Sequence, residues 1–163
     1  MANALDPVIR SATRDDVPAI LSLIRGLAEY EKLAHECEAD EASLADTLFG
    51  DRPGAEVVIA EVEGEAAGFA LFFHNYSTFL ARPGLYLEDL FVQPRFRGLG
   101  LGKRLMAHLA RLAVARGCGR FEWSVLDWNA PAIGFYRSLG AVGMDQWTVQ
   151  RVSGDALRRL AAD

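Results

Sequence analysis

The apolar positions of this 163-residue chain keep two rhythms, and each change of rhythm marks the edge of an element. Residues 8–10 read as a short strand. In the turn that follows, Thr13 or Asp15 can cap a helix with Pro18 in or near its first turn. Ile20, Ile24 and Leu27 then mark one helical face. A second short helix runs through Leu44 and Leu48 and ends at Gly50. The period drops to two over residues 57–62 and 66–74, β-rich runs separated by Glu63-Gly64-Glu65, which predicts an antiparallel hairpin. A third strand follows at 85–92. Leu101, Leu105, Leu109 and Leu112 restore helical spacing over 102–116, stopped by Gly117. Phe121, Trp123 and Val125 alternate with Glu122 and Ser124, predicting a strand over 120–126. Asn129 can cap the next helix, with Pro131 in its first turn and Gly140 past its end. A final strand over 147–152 and a short helix over 155–161 complete the reading. The order implies an α/β (α+β) fold with a mixed sheet, in one domain spanning residues 1–163.

The stretch from Gln93 to Gly102, QPRFRGLGLG, lies between a buried strand and the longest helix. Glycines there let several backbone N–H groups point inward together, and the helix start adds partial positive charge, which suits a phosphate or pyrophosphate. Arg97 and Lys103 can add ionic contacts. A P-loop needs a different spacing and a hydroxyl residue after its lysine, and a dinucleotide fingerprint needs G-x-G-x-x-G in the first strand-helix unit, so both fit badly. A tight strand-to-helix turn without a ligand is the competing reading.

Charge narrows the partners. The net charge of −5 argues against general nucleic-acid binding and favours cationic ligands. Glu29, Glu31, Glu36, Glu38, Asp40 and Glu41 crowd one segment, either to hold a cation or as a solvated loop. Two cysteines, Cys37 and Cys118, show no paired spacing and read as reduced thiols. His35, His74 and His108 have no ligand spacing, so no metal is expected. No run approaches the roughly 18 apolar residues of a membrane helix, and the N-terminus has no signal-peptide pattern, so a cytoplasmic protein without membrane partners is expected.

Several motifs in order carry a resemblance. Arg97-Gly98-Leu99-Gly100-Leu101-Gly102 matches the Arg/Gln-x-x-Gly-x-Gly/Ala acetyl-CoA motif of the GNAT N-acetyltransferases. Tyr30-Glu31, Leu85-Tyr86-Leu87-Glu88-Asp89, and Trp128-Asn129-x-Pro131 with Phe135-Tyr136 look like the diamine (spermidine/spermine) acetyltransferase subgroup. The resemblance covers nearly the whole chain. It implies a single-domain fold whose mostly antiparallel sheet is splayed in the middle, with helices on both faces.

The resemblance also implies a set of roles. Acetyl-CoA is the cosubstrate, its pyrophosphate on Arg97, Gly98, Leu99, Gly100, Leu101, Gly102 and Lys103, and its pantetheine arm along Leu90, Phe91 and Val92, where the splayed sheet leaves backbone groups unpaired. One amide of that strand end would polarise the thioester carbonyl. Asn129, Ala130, Pro131, Ala132 and Leu139 give a second cofactor contact. An aromatic pair on a helix is usually core packing, but here Tyr136 is implied as the general acid that protonates the departing thiolate, because a phenol is protonated at neutral pH. The amine must lose a proton, and Glu88, through a water, is the first candidate to take it, with Asp89 the rival. Adjacent strand residues face opposite ways unless a bulge intervenes, and the resemblance implies that one often does here; salt bridging or exposure is the commoner fate of such acids. Tyr30, Glu31, Glu88, Asp89, Glu122, Trp123, Ser124 and Asp145 match substrate positions. No serine elbow or placed cysteine suggests an acyl-enzyme, so direct attack by the amine is expected. The expected substrate is a small cationic amine, a diamine, polyamine or thialysine-like amino acid, and a homodimer is implied. A noncatalytic acyl-CoA sensor and a protein lysine or N-terminal acetyltransferase are the alternatives.

Overall fold

The computed structural model describes residues 6–162. They fall into two compact units, residues 6–124 and 125–162.

In the first unit five strands form one sheet in the order of the chain, β1 (Val8–Ser11), β2 (Glu56–Val62), β3 (Glu65–Ser77), β4 (Arg82–Val92) and β5 (Phe121–Trp123). The first four pair antiparallel, and β5 runs parallel to β4. Glu63 and Gly64 join β2 to β3 with φ of 52° and 79°. Two positive φ values match the right-handed twist of the flanking strands, which is why a Glu-Gly pair closes this hairpin.

Helix α1 (Val17–Tyr30) and helix α2 (Glu41–Phe49) cover one face. Ile20, Leu23 and Leu27 of α1 and Leu48 of α2 are buried with Val57, Ile59, Phe69 and Phe91. Helix α3 (Leu101–Ala115) packs on the other face, where Leu101, Leu105 and Leu109 are almost wholly buried. Helices on both faces of a mixed sheet are the architecture expected from the sequence. Burying some ten such side chains, at about 1.5–3 kcal/mol each, is the main stabilising contribution.

The α1 entry differs from expectation. Thr13 leads into a short 3-10 turn, and its N–H donates to Asp16 at 2.7 Å. Asp16 also accepts two hydrogen bonds from the Arg10 guanidinium, each 2.8 Å, while Arg10 Nε donates to Glu61 at 2.8 Å. One arginine thus ties β1 to β2 and to the start of α1. The α2 entry is capped by Asp40, whose Oδ1 accepts the Ser43 N–H at 2.7 Å.

The second unit holds α4 (Ala130–Ser138) and α5 (Gly154–Ala161). Two strand expectations need correction. The strand expected over 120–126 is regular only over Phe121–Trp123, because it is paired for that length and no further. Residues 147–152 form no strand; alternation alone does not make one, since a strand exists through the ladder it shares with a neighbour.

Candidate active site

The candidate site residues of the first unit gather at the end of β4. Leu85, Tyr86 and Leu87 pair with Phe121, Glu122 and Trp123, and the β4–β5 ladder stops there while β4 continues to Val92. Gln93 N–H donates to the Ala67 carbonyl of the β3 side at 2.8 Å, and Phe91 lies opposite Phe69. Backbone groups alternate sides along a strand, so those of Phe91 point to β3 and those of Leu90 and Val92 point to the edge that β5 has left. The Val92 carbonyl takes a bond from Arg97 Nε at 3.3 Å.

A bulge decides which carboxylate faces where. Leu71 pairs with Asp89 and Phe72 with Leu87, so Glu88 is the extra residue. Leu85 and Leu87 therefore share the α3 face with Phe72, whereas Asp89 shares the α1 face with Phe91 and Phe69. Glu88 is exposed on the bulge. Asp89 is half-buried, and burial first, with the charges of Glu88 and Glu31 adding, pushes its carboxyl up to about 6. Glu31, at the end of α1, is itself held above the usual carboxylate range by burial.

Close packing sets the distance from helix to strand. A Cβ on Gly26 would come within 2.9 Å of the Phe91 ring, so α1 rests on β4 at that point. Four and five residues on, α1 delivers Tyr30 and Glu31 to the Asp89 side of the sheet. The Arg97 guanidinium lies 5.1 Å from the centre of the Tyr30 ring and 5.9 Å from that of Phe91. Arg97 thus links the glycine turn to the end of α1, a contact that its motif position did not suggest.

The turn itself has the conformation that glycine permits. Gly98 and Gly100 have φ of 84° and 74°, in the left-handed region where a side chain is strained. Leu99 between them is exposed, Leu101 is buried as the first residue of α3, and Gly102 and Lys103 follow in its first turn. The helix hydrogen bonding begins with Arg104 N–H to the Gly100 carbonyl, so the amides just before it are free of the helix ladder.

On the distal part of the same sheet face stand Glu122, ion-paired with Arg120 at 2.8 Å, and Ser124, whose Oγ lies 2.9 Å from the Tyr86 hydroxyl. Trp123 ends β5 and meets Phe121 edge to face, with centroids 5.0 Å apart. Tyr86 lies against Phe73 at 5.2 Å.

In the second unit Asn129 caps α4, its Oδ1 accepting the Ala132 N–H at 3.3 Å, as the sequence predicted. Ala130, Pro131 and Ala132 form the first turn and Leu139 the C-cap. Phe135 and Tyr136 have ring centres 5.4 Å apart. Asp145 lies in the turn closed by Trp147 N–H to the Met144 carbonyl. Among the described residues no group of three or more His, Cys, Asp or Glu is arranged to hold a metal ion, and no helix is long and apolar enough to cross a membrane.

The model of the acetyltransferase (GNAT) family matches residues 22–141, from within α1 to just past α4. The chain belongs to the GNAT acetyltransferase family. Among its relatives, an L-ornithine N5-acetyltransferase of Arabidopsis thaliana is 36% identical over 93% of this chain and 86% of its own length. A thialysine N-epsilon-acetyltransferase of Mus musculus is 37% identical over 94% of this chain and 96% of its own. Among solved structures, an integron cassette protein from the mobile metagenome of V. cholerae superposes with a TM-score of 0.82 at 27% identity, covering 96% of this chain and 98% of that one. The chain is thus a GNAT enzyme whose relatives are amine N-acetyltransferases.

GNAT acetyltransferases use acetyl-CoA, and two features of this chain fit it. The left-handed glycines shape a turn that leads into α3 beside Lys103, which suits a pyrophosphate. The Leu90 and Val92 edge suits a chain of alternating amides.

Proposed function

We propose that the protein transfers the acetyl group of acetyl-CoA to the primary amine of a small cationic substrate. The observation that supports this reading most is the juxtaposition at the end of β4, a stretch of strand that β5 leaves unpaired beside the glycine turn, with a half-buried carboxyl, Asp89, on the α1 face. The relatives that act on ornithine and thialysine point the same way.

Bound at that edge, acetyl-CoA supplies the thioester carbonyl that the amine nitrogen attacks, forming the C–N bond as the C–S bond breaks. An aliphatic amine with a pKa near 10.4 arrives as ammonium. Asp89, ionised above pH 6, receives its proton, and its raised affinity for a proton is what makes it an effective base near neutral pH. Glu88, exposed beside it, and Glu31 attract the cation. An amide of the Leu90–Val92 edge polarises the carbonyl. Tyr136, at the position the family resemblance assigns to the acid, returns a proton to the departing sulfur. A cytoplasmic location and a homodimer belong to the same proposal, checked by cell fractionation and by sedimentation.

Thiol release from acetyl-CoA, followed with a disulfide reagent across diamines, polyamines, diamino acids and a lysine peptide, tests the reading. Turnover on a small amine, reduced about a hundredfold or more in Tyr136→Phe, is expected. Acetyl-CoA binding without turnover on any amine would replace it with a sensor; turnover confined to the peptide would replace it with a protein acetyltransferase.

A further inference from the structure

Arg97 is exposed, yet its side chain folds back from the glycine turn toward α1. Its Nε donates to the Val92 carbonyl at 3.3 Å, and its guanidinium lies 5.1 Å from the centre of the Tyr30 ring and 5.9 Å from that of Phe91. These partners carry no charge. Arg10, Arg95, Arg104 and Arg116 each hold a carboxylate, whereas among the described residues Arg97 is ion-paired with none. A guanidinium kept by a carbonyl and two ring faces is kept weakly, because a cation–π contact at an exposed site contributes little and a bond to a charged acceptor is roughly twice as strong as one to a neutral acceptor.

Each contact occupies something that the proposed reaction needs. The Val92 carbonyl points to the side of β4 that β5 has left, the side that suits the amides of the acetyl-CoA arm. Tyr30 is next in the chain to Glu31, whose charge reaches Asp89. An aromatic face beside such acids is a seat for an ammonium, and two cations cannot share one face of a ring. Arg97 is also the residue that leads into the turn of left-handed Gly98 and Gly100. A phosphate on that turn offers its guanidinium two charged oxygens in a matching fork, the stronger contact of the two. One swing of the side chain then clears the Val92 carbonyl and the Tyr30 ring together.

We propose that Arg97 is an internal stand-in for the amine, seated on Tyr30 in the free protein and drawn off by the pyrophosphate of acetyl-CoA. The site therefore fills in order, acetyl-CoA before amine. By linkage, the amine strengthens acetyl-CoA binding by the same factor. This rests on the amine acetyltransferase reading and adds a regulation to its site.

The test is calorimetric binding of 1,4-diaminobutane and of ornithine to the protein alone and to the protein saturated with coenzyme A, which carries the pyrophosphate but no acetyl group to transfer. In the wild type the amine Kd is expected to fall about fivefold on saturation, the size of one exposed cation–π contact. Arg97→Gln keeps a residue that the motif allows. It is expected to bind the amine about fivefold more tightly than wild type in the free protein, with the effect of coenzyme A reduced to about twofold or less. Tyr30→Leu removes the contested ring and should shrink the effect of coenzyme A to the same degree. Simple loss of a positive charge would strengthen amine binding in both states alike and leave the wild-type ratio in Arg97→Gln. That unchanged ratio, or equal amine affinity of the wild type with and without coenzyme A, overturns the stand-in alone. No coenzyme A binding by the wild type, or no turnover of any amine in the thiol-release assay, overturns the acetyltransferase reading as well.

Discussion

Two carboxylate clusters in the first unit are built on opposite plans. At the edge of the sheet Asp16 and Glu61 share Arg10, every charge has a partner at 2.8 Å, and the Asp16 carboxyl is held down to about 2, first by its hydrogen bonds to Arg10. At the end of β4 three acids meet. Glu88, Asp89 and Glu31 are close enough that burial and like charge raise the Asp89 carboxyl to about 6. Matched charges hold elements together, whereas like charges brought together in a half-buried place cost stability. Such an arrangement is the mark of a candidate functional site.

The sharpest way to break the contrast is to remove charge at each centre. Asp89→Asn is expected to lower kcat/KM by roughly 10²- to 10⁴-fold, the range for losing a general base. Under thiol-release assay, a loss smaller than tenfold would return the base's role to Glu88. Asp89→Asn should also be the more stable protein above pH 7, by about 2 to 3 kcal/mol in denaturant unfolding. The sign follows from the raised carboxyl. Its ionised form is disfavoured in the fold, so the wild type regains that stability as pH falls from 6 toward 4, and the difference between the two proteins should vanish near pH 4.

Asp16→Asn should do the reverse. At pH 7 it is expected to lose about 1 kcal/mol of stability, the shift being discounted for solvent screening, while turnover per folded molecule stays near wild type. Here the folded carboxyl is depressed, so the wild-type advantage exists above pH 4 and disappears as pH falls through 4 to 2. Glu88→Gln should have the smallest effect, at most about fivefold and mainly in KM for the amine, because an exposed charge contributes little in water.

Much of this layout is legible in the residues. Helical spacing at Ile20, Ile24 and Leu27, the Glu63-Gly64 turn and the glycine run at 98–102 each depend on neighbours a few positions away, and each lies where the pattern puts it. The motif order also exposes the family. What local pattern cannot carry is register. The extra residue in β4 swaps the faces of Glu88 and Asp89, and nothing in Leu-Glu-Asp-Leu marks it; the slip arises from pairing with Phe72 and Leu71 on another strand. Contacts across long separations are equally silent. Arg10 finds Glu61, Arg97 turns back over Tyr30, and Arg120 settles on Gly84, all by folding rather than by spacing. The reading of 147–152 as a strand failed for a related reason, since alternation describes a candidate and its neighbour decides.

The central claim is that Asp89, raised by its surroundings, takes the proton from the amine. It is tested most directly by the pH dependence of kcat/KM for a small amine, in wild type and Asp89→Asn side by side. The account predicts an acid limb with its midpoint near pH 6 in the wild type and none in the variant. The same limb in both proteins, or a wild-type midpoint below about 4.5, the ordinary carboxylate range, would contradict it.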